Sequence, residues 1–154
     1  MEKKYELTDE ILEVGGRVLH RINALRNFGN INQGEIGGWI ENEDNLSHCG
    51  DCWVYDDAKV LGNAKVLGDA EVYGNAIVLG DAEVEKKSDY IVFKNWWSSG
   101  RYFTWTRSND KWRVGCFYGT GEELIKKAYA DNEEKGREYE RVVKYVESIK
   151  SEIK

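Results

Sequence analysis

From Gly38 to Glu85 the apolar and polar positions recur every six residues in a single phase. Written in sixes the stretch reads GWIENE, DNLSHC, GDCWVY, DDAKVL, GNAKVL, GDAEVY, GNAIVL and GDAEVE, and the last six units follow Gly/Asp, Asp/Asn, small, any, Val, Leu/Tyr. That period matches neither the 3.6-residue repeat of a helix nor two-residue strand alternation, and its recurring glycines break any helix. It predicts a parallel β-helix in which three six-residue edges make one triangular coil. Each residue then lies beside the one about eighteen positions later, at a strand spacing of about 4.8 Å. Val54, Val60, Val66, Val72, Val78 and Val84 are placed inside, with Cys52, Ala58, Ala64, Ala70, Ala76 and Ala82 in the cramped interior near the corners. Asp and Asn at the second position suit turn conformations, and the leading glycines relieve backbone crowding. Eight units make fewer than three coils, so other parts of the chain or another copy must cover the ends.

The flanks carry different patterns. Residues 1–37 contain two alternating segments, KYELTDEILEV and RVLHRINAL, joined by Gly15-Gly16, which predicts a hairpin and a β-rich cap. Trp39 and Ile40 are placed to close the open end of the coil. Residues 86–154 begin with an aromatic stretch predicting strands near 90–95, 101–107 and 112–118, with turns at Ser98-Ser99-Gly100 and Asn109-Asp110. A two-residue turn at Asn109-Asp110 pairs Arg107 with Trp112, Trp105 with Val114 and Phe103 with Cys116. It leaves Tyr102, Thr104, Thr106, Arg113 and Phe117 on the face away from the apolar one. Thr120 and Glu123 form a capping box that starts a helix at Gly121, and a stripe from Ile125 to Ile153 predicts a long amphipathic helix bent or broken near Gly136. The fold class is mainly β with α: a hexapeptide-repeat coil over 38–85, a cap over 1–37, and a small sheet with a C-terminal helix over 86–154.

Composition narrows the function classes. The chain has 154 residues, 41% hydrophobic and 12% aromatic, which is a folding composition. No apolar run is long enough to span a bilayer and the start MEKKYELTDE lacks a signal-peptide core, so a cytoplasmic protein with no membrane partner is expected. Three cysteines fit a reducing compartment; Cys49 and Cys52 form a lone CxxC with no second ligand pair, which reads as packed thiols. The net charge of −6 makes direct nucleic-acid binding by the whole molecule an unfavoured expectation. Yet Lys86, Lys87, Lys94, Arg101, Arg107, Lys111 and Arg113 face only Asp89 and Asp110 between positions 86 and 113, so an anion can settle there.

The stretch LRNFGNINQGEIGGWIENEDNLSHCGDCWVYDDAKVLGNAKVLGDAEVYGNA resembles hexapeptide-repeat proteins of phages and enterobacteria labelled as transferases or polymer-forming proteins. The segment NWWSSGRYFTWTRSNDKWRVGCFYGTGEELIKKAY resembles a small domain that recurs in phage proteins. The motifs GGW, NLS, GDCWVYD and VGCFYGTGEEL carry the likeness. It implies a left-handed β-helix and a phage or prophage origin, hence the cytoplasm of the host cell. It supplies no reaction, because the transferase label rests on fold analogy.

Three function classes follow. Hexapeptide acyltransferases use a histidine base, and only His20 and His48 are available, with His48 in the valine column. No loop interrupts the hexads and the coils are few for an acyl-CoA site, so an enzyme is the less favoured expectation and no cofactor is expected. A binding protein is favoured. Gly119-Thr120-Gly121 before a helix, set beside Arg101, Arg107 and Arg113 and the aromatics Trp96, Trp97, Tyr102 and Phe117, forms a candidate pocket for a nucleotide-like anion. The competing reading makes those aromatics a core and Thr120 a cap alone. Ladders of corner Asp and Asn could instead imitate nucleic-acid phosphates. The expectation is a noncatalytic homo-oligomer, a trimer by preference, that counteracts a host defence system by binding a defence protein or sequestering a nucleotide-like signal. A purely structural trimerisation or virion-associated role is the third alternative.

Overall fold

The computed structural model describes residues 2–153, which fold mainly as β structure with two helices and several sheets. Strands β1 (Tyr5–Val14) and β2 (Arg17–Ala24) form the predicted hairpin, turned by Gly15 and Gly16 at φ of 56° and 83°. Positive φ at both central residues matches the right-handed twist of the two arms, which is why glycine stands at each. Strand β3 (Ile36–Ile40) pairs antiparallel with β2. Six two-residue strands follow: β4 (Trp53–Val54), β5 (Lys59–Val60), β6 (Lys65–Val66), β7 (Glu71–Val72), β8 (Ile77–Val78) and β9 (Glu83–Val84).

Those short strands pair in parallel, β4 with β7, β5 with β8 and β6 with β9, so Val54 meets Val72, Val60 meets Val78 and Val66 meets Val84. All six valines and the alanines between them are buried in one core. Because β3 also pairs in parallel with β5, one sheet runs β1-β2-β3-β5-β8 from the hairpin onto a side of the coil.

The single phase over eight units does not hold at its start. Ile40 pairs with Val60 and Leu46 bridges to Val66, each twenty positions on, whereas the later partners are eighteen apart. Two extra residues are therefore accommodated between Leu46 and Val54. Leu46 fills the interior slot, and His48, which a strict phase puts in the valine column, lies outside and stacks on Tyr5 with centroids 4.2 Å apart. Trp39 does not close the coil either. It packs on an outer flank with Leu19 and Leu61, under the Arg21 guanidinium, while Tyr5, Ile22, Phe28, Ile31 and Trp53 join the coil core near its start.

Residues 90–119 form an antiparallel sheet of four strands rather than three: β10 (Tyr90–Lys94), β11 (Tyr102–Thr106), β12 (Lys111–Val114) and β13 (Phe117–Gly119). The connection between β11 and β12 is longer than two residues, so Trp105 pairs with Trp112 and Phe103 with Val114 instead of Val114 and Cys116. The slip is by two positions, which keeps every side chain on its expected face. Phe117 is the exception: Gly115, at φ 54°, reverses the chain before it and turns its ring to the apolar side. Helix α1 (Gly121–Asp131) begins with the predicted Thr120–Glu123 capping box. The helix breaks at Asn132, not Gly136. Asn132 is extended and its side chain accepts from Lys135 N–H, capping α2 (Glu133–Ile149). Gly136 instead lets Tyr129 lie against α2, where a Cβ would collide with its ring. Phe103, Trp105, Trp112, Val114, Leu124, Tyr139, Val143 and Val146 make the second core, between sheet and helices.

The other face of this sheet docks on the last coil. Ile77 N–H donates to Thr104 Oγ1 at 3.1 Å, Glu83 N–H to Ser108 Oγ at 2.8 Å, Tyr73 N–H to Tyr90 Oη at 3.1 Å and Glu85 N–H to Asp89 Oδ2 at 2.9 Å. At Thr104, which is 2% exposed, losing the hydroxyl leaves the Ile77 N–H without its partner at a cost of about 1–3 kcal/mol. Thr104→Val, which keeps shape, is expected to lower unfolding free energy by that amount in urea titrations, and Thr104→Ser by less. A second test concerns the corners. Gly50 and Gly74 have φ of 70° and 64°, but a Cβ at Gly50 would strike the carbonyl of Gly68 while one at Gly74 meets open space. Gly74→Ala should cost about 1–2 kcal/mol for its left-handed backbone; Gly50→Ala should cost clearly more in the same assay.

Candidate functional site

A cleft of about 240 Å³ opens where the β12–β13 turn meets α1 and α2. Its apolar walls are Val114, Phe117, Leu124, Ala128 and Tyr139, and its polar lining is Arg101, Lys127, Asp131, Lys135 and the Cys116 thiol. Two devices place these groups. Asn95, 2% exposed, accepts from Trp97 N–H and Ser98 N–H and donates to Ser98 Oγ and Ser99 Oγ, and its own N–H donates to the Arg101 carbonyl at 2.7 Å. The loop that delivers Arg101 is thus held from inside. On the helices, Lys127, Asp131 and Lys135 succeed one another at four-residue spacing across the Asn132 break, so all three reach one side.

The charge is unevenly spent. Lys135 donates to Asp131 and lies over the Tyr139 ring, 5.4 Å from its centroid. The Lys135 hydrogen bond, helped by the charges of Lys135 and Lys127, holds the Asp131 carboxyl below its ordinary range, so it stays ionised. Arg101 and Lys127 have no carboxylate partner among the described residues. Three cations, Arg101, Lys127 and Lys135, thus stand against the single Asp131 carboxylate at this recess, a net positive lining that favours an anion.

Of the eight residues singled out from sequence, Arg101 and Phe117 line this cleft. Trp97 is next to it, half-buried against Phe103 and Tyr139, while Trp96 is 78% exposed. Tyr102 and Arg113 belong to the coil-facing side of the sheet, and Arg113 Nε donates to the Gly115 carbonyl. Arg107 is elsewhere, paired with Asp89 at 3.4 Å and donating to the Ile153 carbonyl at 3.1 Å. The three arginines thus do not converge. Nor is the turn before α1 open to a phosphate: Thr120 Oγ1 accepts from Glu123 N–H, and the Glu123 carboxylate accepts from Thr120 N–H at 2.9 Å. The helix N-terminus already holds its own anion. Sequence reading missed Lys127, Lys135 and Tyr139. Their four-residue spacing was visible, but lysines on an amphipathic helix look like a solvated face until the chain is seen to bend.

The remaining candidates resolve as structure. Of the two thiols expected to pack, Cys49 is exposed and only Cys52 is buried, its sulfur 3.3 Å from Lys4 Nζ, where burial raises its pKa while Lys4 opposes the rise. Corner carboxylates serve neighbouring coils, Asp69 accepting from Asp51 N–H and Asp56 from Gly74 N–H. His48 Nδ1 accepts from Lys4 N–H at 3.1 Å and Nε2 meets Glu43 at 3.0 Å. With both ring nitrogens engaged, neutral His48 has no lone pair left for a substrate proton. His20 differs: Nδ1 donates to the Thr8 carbonyl at 2.9 Å, which leaves Nε2 as the acceptor.

No family model matches the chain. A relative in Escherichia coli strain K12, described as "Uncharacterized acetyltransferase YdcK", is 35% identical over 71 residues, which are 40% of this chain and 22% of the relative. The chain therefore spans about a fifth of that protein's length.

The two histidines are expected to show opposite tautomers, which nitrogen-15 NMR of labelled protein at neutral to mildly alkaline pH reads directly: Nε2–H for His48 and Nδ1–H for His20. An Nδ1–H tautomer at His48 would restore a free base there and reverse this assignment.

Proposed function

We propose that the chain is a noncatalytic binding protein whose C-terminal cleft takes a small anion with an apolar body. The observation that carries this is the net positive lining, Arg101, Lys127 and Lys135 against Asp131, beside the recess between Phe117, Leu124 and Tyr139. In this reading segments 1–37, 38–85 and 86–154 act as cap, left-handed β-helix and binding module. A nucleotide-like signal of a host defence system belongs to this ligand class, and a homotrimer would carry three such clefts. The acyltransferase alternative draws on the relative's description and on His20, whose Nε2 is free to accept a proton.

Two measurements separate these readings. Titration calorimetry with adenosine 5′-monophosphate and adenosine should show the phosphate-bearing probe binding more tightly and losing affinity as salt rises. The Arg101→Ala/Lys127→Ala double variant should lose about tenfold or more, one tenfold being about 1.4 kcal/mol. Equal binding of nucleoside and nucleotide, or undiminished binding by the folded double variant, would sink the proposal. Turnover of acetyl-CoA that vanishes in His20→Ala would establish the alternative in its place.

A further inference from the structure

One position departs from the column of small residues inside the coil. Ala58, Ala64, Ala70, Ala76 and Ala82 fill it in the later units, but the first of the six regular units carries Cys52, and this sulfur is the one that Lys4 touches. Both residues are fully buried, and Lys4 Nζ lies 3.3 Å from Cys52 Sγ. Lys4 also donates to the carbonyls of Gly50 at 3.2 Å and Cys52 at 2.7 Å, so its nitrogen is pinned beside the sulfur. Those carbonyls account for a donor at position 4. They do not account for the sulfur, since an alanine at 52 would present the same carbonyl.

A nitrogen and a sulfur held about 3–3.5 Å apart are at the separation from which a bond forms once one of them is made electrophilic. Oxidation of the thiol supplies that electrophile, because a sulfenic acid condenses with a nitrogen to give a sulfenamide. Burial lowers the Lys4 ammonium toward the neutral, nucleophilic amine. It also raises the Cys52 thiol, so the closed pair is inert. Access comes from the adjoining surface. Lys3 on one side and Cys49, Gly50 and Asp51 on the other are exposed, so local opening of a few residues admits a peroxide and returns the thiol to its ordinary reactivity.

We propose that Lys4 and Cys52 form a redox-sensitive lock, in which a hydroperoxide joins the N-terminal segment to the coil through a reversible S–N bond. The Cys52 sulfur attacks the peroxide and gains an oxygen, the O–O bond breaks, and with hydrogen peroxide the second oxygen leaves as water. On reclosure the lone pair of the Lys4 nitrogen attacks that sulfur. The S–O bond breaks, and the hydroxyl leaves as water with a proton from the nitrogen. Thiol, amine and hydrogen peroxide thus give the S–N link and two waters, the sulfur being oxidised and the peroxide reduced. Residues 4 and 52 are 48 positions apart, so the link closes a long loop in the unfolded chain and stabilises the folded one.

The test treats the full-length Cys49→Ser/Cys116→Ser chain, in which Cys52 is the sole cysteine, with hydrogen peroxide and digests it without reductant. Mass spectrometry should find two peptides joined through Lys4 and Cys52, lighter than their sum by two hydrogens, and dithiothreitol should separate them. The linked protein should melt about 5 °C or more above the reduced one. Lys4→Arg, with near-ultraviolet circular dichroism unchanged, should abolish the link, because a guanidinium keeps the donors and lacks a nucleophilic amine. The wild-type chain should yield the same joined peptides. Cys52 recovered as a thiol or a sulfinic acid, a two-hydrogen loss that survives Lys4→Arg, a linked form that melts no higher, or a Cys49–Cys52 disulfide in the wild type would each overturn the proposal.

Discussion

The backbone groups at the two ends of the coil are the constraint on which the rest of the structure depends. Stacked coils satisfy one another's N–H and C=O groups, but the first and last have a neighbour on one side only, and each buried group left unpaired costs about 1–3 kcal/mol. With so few coils the ends are a large fraction of the whole. The chain meets this with side chains from both flanks. Near the start, Lys4 Nζ donates to the carbonyls of Gly50 and Cys52, and Tyr5 Oη to that of Leu46. At the other end hydroxyls of Tyr90, Thr104 and Ser108 and the Asp89 carboxylate receive N–H groups. Lys4 is fully buried to do so, and burial pulls its ammonium below the ordinary lysine range.

That capping dictates the two-sidedness of the C-terminal sheet. Its coil-facing side must present hydrogen-bonding groups short enough to reach a neighbouring backbone, hence Thr104 at 2% exposure in the middle of an aromatic strand. Phe103 and Trp105, alternating with it, and Trp112, paired with Trp105, are thereby committed to the opposite side, where the helices cover them. Sheet and helices close over most of that surface but not at the β12–β13 turn, where Gly115 reverses the chain and the Asn132 break redirects the helix. The cleft lies at the meeting of those two irregularities. The site is thus a consequence of how the coil is ended.

How much of this was legible depended on whether a residue's surroundings were local. The hexads, the Gly15-Gly16 turn and the Thr120–Glu123 box are contained within a few residues, and the sequence pattern located them. The two faces of β11 and β12 were also legible, because a two-position slip preserves side-chain direction. The phase change between Leu46 and Val54 was not, since DNLSHC keeps the length of a unit while its apolar residue is displaced to Leu46. The site was least legible. Arg101, Arg107 and Arg113 are near one another in sequence, but strand alternation and a hairpin end send them to different places. Lys127 and Lys135 join Arg101 only through tertiary packing, which no local pattern encodes.

The same geometry lets a chain of net charge −6 carry a locally positive recess. At physiological ionic strength a charge is felt over a Debye length of about 8 Å. Within the cleft the nearest charges are Arg101, Lys127 and the Lys135–Asp131 pair. Nonspecific affinity for a polyanion requires many phosphates neutralised together, which a net charge of −6 opposes. An overall negative charge and a locally positive recess are thus compatible in one molecule, because the field at a site is set by the charges nearest to it.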